Sequence, residues 1–203
     1  MKILGLDSSG LVASVAVVED DVLLGEFTVN YKKTHSQTLL PMLDELAKMI
    51  ELDLDTLDAI AIAAGPGSFT GLRIGSATAK GLGLALDKPL ISVPTVDALA
   101  YNLYGHRDII CPLMDARRNQ TYTGLYSFDG NEMEVLKEQC AVGIDEIISI
   151  VNQFEQPVTF LGDGVPVFQE YIAENCSVPY TFAPAHVNKQ RAGAVAALGM
   201  KYF

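Results

Sequence analysis

Three groups of residues in this chain have types and spacings that could do chemistry. The first is GPGSFTGLRIG at positions 65–75, four glycines in eleven residues between an apolar strand and a helix, a place where free helix-start amides can hold a phosphate. The second is the pair Asp7 and Asp115, which close the apolar stretches ILGLD and IICPLMD. An acid at the end of a core strand faces the crevice where α/β sheets hold ligands, beside a nucleotide phosphate or its magnesium. The third is the cysteines and histidines. Cys111, Cys140 and Cys176 lie 29 and 36 residues apart without a CxxC, His35, His106 and His186 are scattered, and no HExxH occurs. These spacings argue against a disulfide framework or a zinc site, and the thiols read as buried or half-buried side chains.

The glycine loop fails the usual phosphate tests. It lacks the Lys-Ser/Thr ending of a P-loop, and glycines at 65, 67, 71 and 75 miss the GxGxxG spacing because position 70 is threonine. Gly67, Ser68 and Thr70 at the helix start, with Arg73 one turn on, remain candidate anion contacts, together with Asp7, Ser8, Ser9 and Asp115. The plainer reading of both aspartates is that each caps the turn after it through nearby backbone amides. Nothing beside them identifies a nucleophile; only Ser8, Ser9, Arg117 and Arg118 are close in sequence.

A second pattern in the same segment is stronger. Gly71, Gly75, Ala79 and Gly83 recur every four residues, so one helix face is almost bare backbone. Glycine inside a helix costs up to about 1 kcal/mol relative to alanine, which makes sense where another helix must come close. The preceding helix, THSQTLLPMLDELAKMI, offers Leu39, Leu43, Leu46 and Ile50 as a core stripe, with Met42 and Met49 widening the apolar arc. Two such helices could present a surface to another molecule; alternatively the closeness is internal, against the protein's own sheet.

The elements that position these residues follow from hydrophobic period. ILGLD, ASVAVVE and LLGEFTV read as a three-stranded antiparallel meander, with the first strand central. Pro41 suits a helix whose cap is at or just before Thr38 and removes an internal bond if the helix starts at Ser36. A helical turn at DLDTLD, the strand AIAIAA, a helix through about residue 86, the strand KPLISV and the helix PTVDALAYNL follow. The opening pattern then returns in IICPLMDARRNQTYTGLYSFDG: strand, aspartate, turn, strand. Further elements are a helix near 144–153, the strand VTFLGDG, a helix over about 165–175 and a last helix over about 186–200. Two copies of one pattern predict an internal duplication, with halves 1–108 and 109–203.

Composition bounds the function. The 203 residues are 49% apolar, carry 14 basic and 25 acidic side chains for a net charge of −11, and contain no apolar run of eighteen. No membrane span or secretory leader is expected, and the cytoplasm is the default. The charge deficit is even, with 8 basic and 14 acidic residues up to Ile110 and 6 and 11 after it. Only Lys32-Lys33 and Arg117-Arg118 are paired cations, too few for a nucleic-acid stripe, so any nucleic-acid role draws most of its contact from a partner.

The stretches ILGLDSSGLVASVAVV, THSQTLLPML, GPGSFTGLRIGSATAKGLGLAL, VPTVDALA and PLMDARRNQTYTGLY, with FLGDG further on, together resemble the bacterial TsaB family, also called YeaZ. The resemblance implies a duplicated actin-like, hexokinase-like α/β fold (ASKHA, ribonuclease H-like) with mixed sheets. It implies a role in making N6-threonylcarbamoyladenosine at position 37 of tRNAs that read codons beginning with A, as the needed, non-catalytic subunit beside the paralogous transferase TsaD and the small ATPase TsaE. TsaD-like sequences carry two metal-binding histidines four apart in a VNHxxxH segment; here those places fall on Thr95 and Leu99, neither of which can replace imidazole. No catalytic residue and no metal are therefore expected, and ATP with Mg would enter only through partners in the assembled complex. An older glycoprotease-like label finds no nucleophile–base set in these residues. His35 falls on a helix-start histidine of the paralogue and is expected to be structural or interfacial.

The family's heterodimer interface lies on the helix starting near Thr34 and on the one after GPGSFTG. The residues expected there are His35, Leu39, Met42, Leu46, Met49, Gly71, Leu72, Gly75, Ala79, Leu82 and Gly83. The same surface is expected to close a homodimer when the partner is absent. Phe203 follows the last helix so closely that a family-like C-terminal tail is expected to be missing.

Overall fold

Each half of the chain opens on an apolar strand that becomes the centre of a five-stranded sheet. In the computed structural model, which describes residues 1–31 and 35–203, β1 (Lys2–Asp7), β2 (Ala13–Glu19), β3 (Val22–Val29), β4 (Ala59–Ala63) and β5 (Leu90–Val93) form the first sheet in the order β3-β2-β1-β4-β5. Strand β1 runs antiparallel to β2 and parallel to β4. The second sheet repeats this with β6 (Ile109–Arg117), β7 (Gln120–Asp129), β8 (Glu132–Gly143), β9 (Val158–Leu161) and β10 (Tyr180–Phe182), ordered β10-β9-β6-β7-β8. Here β6 takes the place of β1, antiparallel to β7 and parallel to β9. The duplication expected from the sequence is thus a duplication of topology.

The sheets acquire helices where the apolar periodicity requires cover. On the first, α1 (His35–Met49) and α2 (Phe69–Leu86) bury Leu39, Leu43, Leu46 and Ala79 against Leu4, Leu6, Val15, Val17, Ile60 and Ile62. On the second, α4 (Ile144–Gln153) and α5 (Val165–Asn175) bury Ile147, Ile148, Val151, Phe168 and Ile172 against Ile109, Cys111, Leu113 and Phe160. The short α3 (Thr95–Tyr101) follows β5, and α6 (Ala192–Tyr202) ends the chain. Pro41 lies inside α1, so this helix gives up one internal hydrogen bond rather than starting late. Thr34, near which the helix start was expected, and Lys32-Lys33 lie outside the described residues. No helix among the described residues is long and apolar enough to cross a membrane.

The boundary at 108/109 needs correction. The compact units are residues 1–98 with 190–203, and residues 99–189. The last helix, counted with the second half on sequence order, covers the bare face of the first sheet. Small residues explain the fit: a Cβ at Gly5 would collide with the Ala192 carbonyl, and one at Gly199 would stand 2.7 Å from the Ala61 Cβ. Polar ties fix the helix start. Ala192 N donates to Ser14 Oγ at 2.9 Å, Gly193 N to Glu26 Oε1 at 2.9 Å, and Arg191 Nε to Glu26 Oε2 at 3.0 Å. The helix starts at Ala192, six residues later than the expected start at about 186, and β8 is a strand that no expectation covered. That strand lies at a sheet edge with none of its residues buried, so its apolar residues follow no clean alternation.

Candidate functional site

Of the candidate anion residues, Asp7, Ser8, Ser9, Gly67 and Ser68 meet where the turn after β1 is stitched to the start of α2, whereas Asp115 lies in the other compact unit. Ser68 caps the helix, its Oγ accepting from Gly71 N at 3.3 Å, and Ser68 N donates to Ser9 O at 2.6 Å. Ser8 Oγ donates to Gly71 O at 2.9 Å. Ser9 donates twice to Asp7 Oδ1, from N at 2.8 Å and from Oγ at 2.6 Å. Asp7, Ser8 and Ser9 are all buried. Burial pushes the Asp7 carboxyl up to about 6, against the opposing pull of the Ser9 hydrogen bonds and the charge of His35. His35 Nε2 donates to Gly10 O at 2.9 Å, which makes His35 a clasp on the same turn.

These contacts occupy the groups a phosphate would need. The Ser9 amide and both serine hydroxyls are engaged, and a Cβ at Gly67 or Gly71 would strike the carbonyl of Ser9 or Ser8. The glycines let one turn lie on another. Of the remaining candidates, Thr70 is exposed at the helix start, and the Arg73 guanidinium lies 3.8 Å over the Phe69 ring.

The second repeat shows the same use of its aspartate. Asp115 Oδ1 accepts from Arg117 N at 2.8 Å, two residues on as in Asp7–Ser9, and Asp115 N donates to Asp163 Oδ1 at 3.3 Å. Burial raises the Asp163 carboxyl, with the Asp115 amide opposing. The turn itself is strained: Arg117, Arg118 and Asn119 have φ of 69°, 53° and 60°. Arg117 pairs with Gln120 after a register shift in β6, leaving Arg118-Asn119 as a two-residue hairpin loop with positive φ at both positions, the geometry that favours Asn-Gly. Asparagine tolerates it; each arginine there costs about 1 kcal/mol.

Thr95 and Leu99, where the resemblance to TsaD-like sequences implied a histidine pair in the paralogue, have structural work in this chain. Thr95 is buried, its N donating to Gly65 O at 2.8 Å and its Oγ1 accepting from Gly65 N at 3.0 Å, and Leu99 is buried. Thr95 therefore anchors the glycine loop. Among the described residues no three His, Cys, Asp or Glu side chains gather around one point. Cys111 is buried, which pushes its thiol up to about 12, so the neutral form persists at physiological pH.

The expected interaction ridge lies on the inner side of α2. Gly71, Gly75, Ala79 and Gly83 are buried, with a Cβ at Gly75 meeting Ser8 Oγ and Ile62 Cδ1, and one at Gly83 meeting Leu90. Leu39 and Leu46 are likewise core residues, while His35, Met42, Leu72 and Leu82 are half-buried and Met49 is exposed. The correction has a simple cause: four-residue spacing identifies a close-packed face without saying what packs on it. A parallel row, Phe69, Arg73, Ala77, Gly81 and Ala85, is the exposed one. A Cβ at Gly81 would meet nothing within 4 Å. Leu84 beside it is 88% exposed, and Leu40 and Met49 add apolar surface on α1. An open groove of about 450 Å³ runs along this helix, lined by Phe69, Leu72, Arg73, Ser76 and Lys80 with Ile62 and Ser92. The i+4 row beginning at Phe69 was legible in the sequence, masked by the more glycine-rich row beside it.

Two five-stranded sheets of the same order, each opening on an antiparallel meander and covered by helices, define a duplicated actin-like α/β protein. The fold matches, at 15% identity and a TM-score of 0.55 over the full length of both chains, the ROK hexokinase of Thermus thermophilus. A family model described as "TsaD: tRNA N6-adenosine threonylcarbamoyltransferase" matches residues 23–201. The tRNA threonylcarbamoyladenosine biosynthesis protein TsaB of Bacillus subtilis is 31% identical over 199 residues, covering 98% of this chain and 87% of that protein. The structure of YeaZ from Pseudomonas aeruginosa superposes with a TM-score of 0.81 at 25% identity, over 99% of this chain and 92% of that one. The chain belongs to the TsaB (YeaZ) family, within the TsaD-type domain.

Proposed function

We propose that this protein is a non-catalytic scaffold in the synthesis of N6-threonylcarbamoyladenosine at adenosine 37 of tRNAs reading ANN codons, binding and positioning a TsaD-type transferase together with a TsaE-type ATPase in the cytoplasm. Family membership and the role in tRNA threonylcarbamoyladenosine biosynthesis that names the Bacillus subtilis relative support the pathway. The use of Thr95 and Leu99 as loop anchor and core residue supports a subunit without its own metal, with ATP and Mg held by partners.

Gly81 carries the scaffold reading. A glycine in the middle of an exposed helix, with open space where its side chain would be, costs helix stability and serves no contact inside the chain. Between Ala77 and Ala85, with Phe69 at the head of the row and Leu84 alongside, it offers a bare stretch of ridge that another helix can approach closely while apolar side chains seal the edges. In the absence of the transferase the same ridge serves a homodimer.

Reconstitution tests this. Threonylcarbamoylation of tRNA is measured with TsaD and TsaE homologues, with and without this chain, and then with Gly81→Leu. The expected result is modification that depends on the wild-type chain, while Gly81→Leu remains folded but fails to join the complex. Full modification without the chain, or ATP turnover by the chain alone at a rate that matches the complex, rejects the scaffold role.

A further inference from the structure

We propose that the β6–β7 turn Arg117-Arg118-Asn119 is an RNA phosphate contact, which orients a tRNA backbone at the tip of a stiff hairpin. The inference rests on the tRNA-modification reading above. The starting point is the misfit between residue and backbone. With φ of 69° and 53°, positions 117 and 118 would be made with less strain by glycine, so the hairpin does not call for arginine there. The strained conformation is held from several sides: Arg117 N donates to Asp115 Oδ1 at 2.8 Å, Asn119 O accepts from Ile144 N at 3.3 Å, and Asp115 N reaches Asp163 Oδ1 at 3.3 Å.

The guanidinium groups, by contrast, are left to solvent. The Arg117 side chain is 86% exposed, with its Nη1 3.9 Å from Asp115 Oδ2, beyond hydrogen-bond reach. Arg118 is exposed and forms no ion pair with any described residue. Two planar forks on a fixed backbone match phosphate oxygens. A protein segment is a poorer fit, because it needs a seat. The groove of about 430 Å³ behind Asn119 sets Asp145, Glu170 and Glu174 among Ile144, Val167, Phe168 and Tyr171, and its carboxylates repel an acidic segment brought close enough to bury surface there. A nucleic-acid strand needs to touch only the tip. On a chain of net charge −11 such a contact sets orientation, with most of the affinity coming from elsewhere in the complex.

The test uses the full chain with TsaD and TsaE homologues and a labelled tRNA transcript, titrated from about 50 to about 200 mM salt. Arg117→Gln/Arg118→Gln is expected to weaken binding about tenfold at physiological salt and to flatten the log–log salt slope by about 1.4, for two phosphates at about 0.7 each. Arg118→Gly separates contact from fold: it should melt no lower than wild type, because glycine relieves the turn, yet bind about three- to fourfold more weakly. Wild-type affinity and slope in the double variant overturn the proposal. So does a loss confined to binding of the TsaD homologue, measured by gel filtration without tRNA, which would make the tip a protein contact. If the wild-type chain does not join the TsaD homologue, the scaffold reading fails instead, and the same titration on the chain alone, wild type against double variant, still decides for or against the arginine pair.

Discussion

Ser8 fixes what α2 can carry on its inner face. A Cβ added at Gly71 would enter the Ser8 carbonyl, and one at Gly75 would collide with Ser8 Oγ and press on Ile62 Cδ1 at 3.0 Å. Two effects oppose each other in Gly75→Ala: helix propensity gains about 1 kcal/mol, and overpacking costs about 1–3 kcal/mol. Overpacking should win because the Ser8 hydroxyl is already tied to Gly71 O. Gly75→Ala is expected to lower the thermal midpoint by several degrees, and Gly71→Ala, which meets backbone, by more; a raised midpoint in both would show that the turn yields. Asp7 gives a separate test at this scale. Its carboxyl is raised to about 6 by burial, so between about pH 4 and pH 6 the folded state holds a proton that the unfolded state has released. Its contribution to stability therefore falls as pH rises through this window, leaving neutral pH less favourable by about 3 kcal/mol. Asp7→Asn keeps an acceptor for Ser9 without the buried charge. The variant should be the more stable protein at pH 7, with the difference shrinking toward pH 4, as read from denaturant midpoints across pH; a pH-independent difference would contradict this.

At the scale of elements, α2 has two small-residue rows with different jobs, and substitutions distinguish them. Gly81→Ala should stabilise the isolated chain by about 0.5–1 kcal/mol, since only helix propensity changes where no atom lies within 4 Å. Gly81→Leu should leave the chain folded and abolish partner association in gel filtration or light scattering. Loss of folded helix in both would mean that the row is internal after all, and intact association in Gly81→Leu would remove it from any interface. The sequence showed that α2 is a close-approach helix, because spacing of four is visible in letters. It could not show which row faces inward, because that depends on where the Ser8-Ser9 turn lands, with Ser8 63 residues from Gly71 in sequence. The aspartates were legible for the opposite reason: an Asx turn is local, and both Asp7 and Asp115 accept from the amide two residues on, as the turn-capping reading expected.

For the whole molecule, duplication was visible as a repeated strand–aspartate–turn–strand pattern, whereas the exchange that assigns α6 to the first sheet was not. Periodicity reports that a helix has an apolar face and is silent on which sheet receives it. The consequence is a chain that leaves its first unit after residue 98 and completes it only at residue 190. Ala192, Val195, Ala196 and Leu198 are buried on this helix, and Ser14 and Glu26 hold its first turn from β2 and β3. Removing residues 190–203 uncovers the α6-facing side of the first sheet, including Gly5 and Ala61, and leaves Glu26 without Arg191. At about 1.5–3 kcal/mol for each large apolar side chain, plus the lost carboxylate bonds, the deficit is comparable with the 5–15 kcal/mol by which a domain is usually stable. Truncation after Lys189 is therefore expected to abolish protection of β1 and β2 amides in hydrogen exchange, while those of β6 and β9, whose unit is continuous in sequence, stay protected. Adding residues 190–203 back as a peptide should restore protection in the first sheet. A truncated chain that keeps both sheets equally protected would show that α6 is an accessory to the fold rather than its closing element.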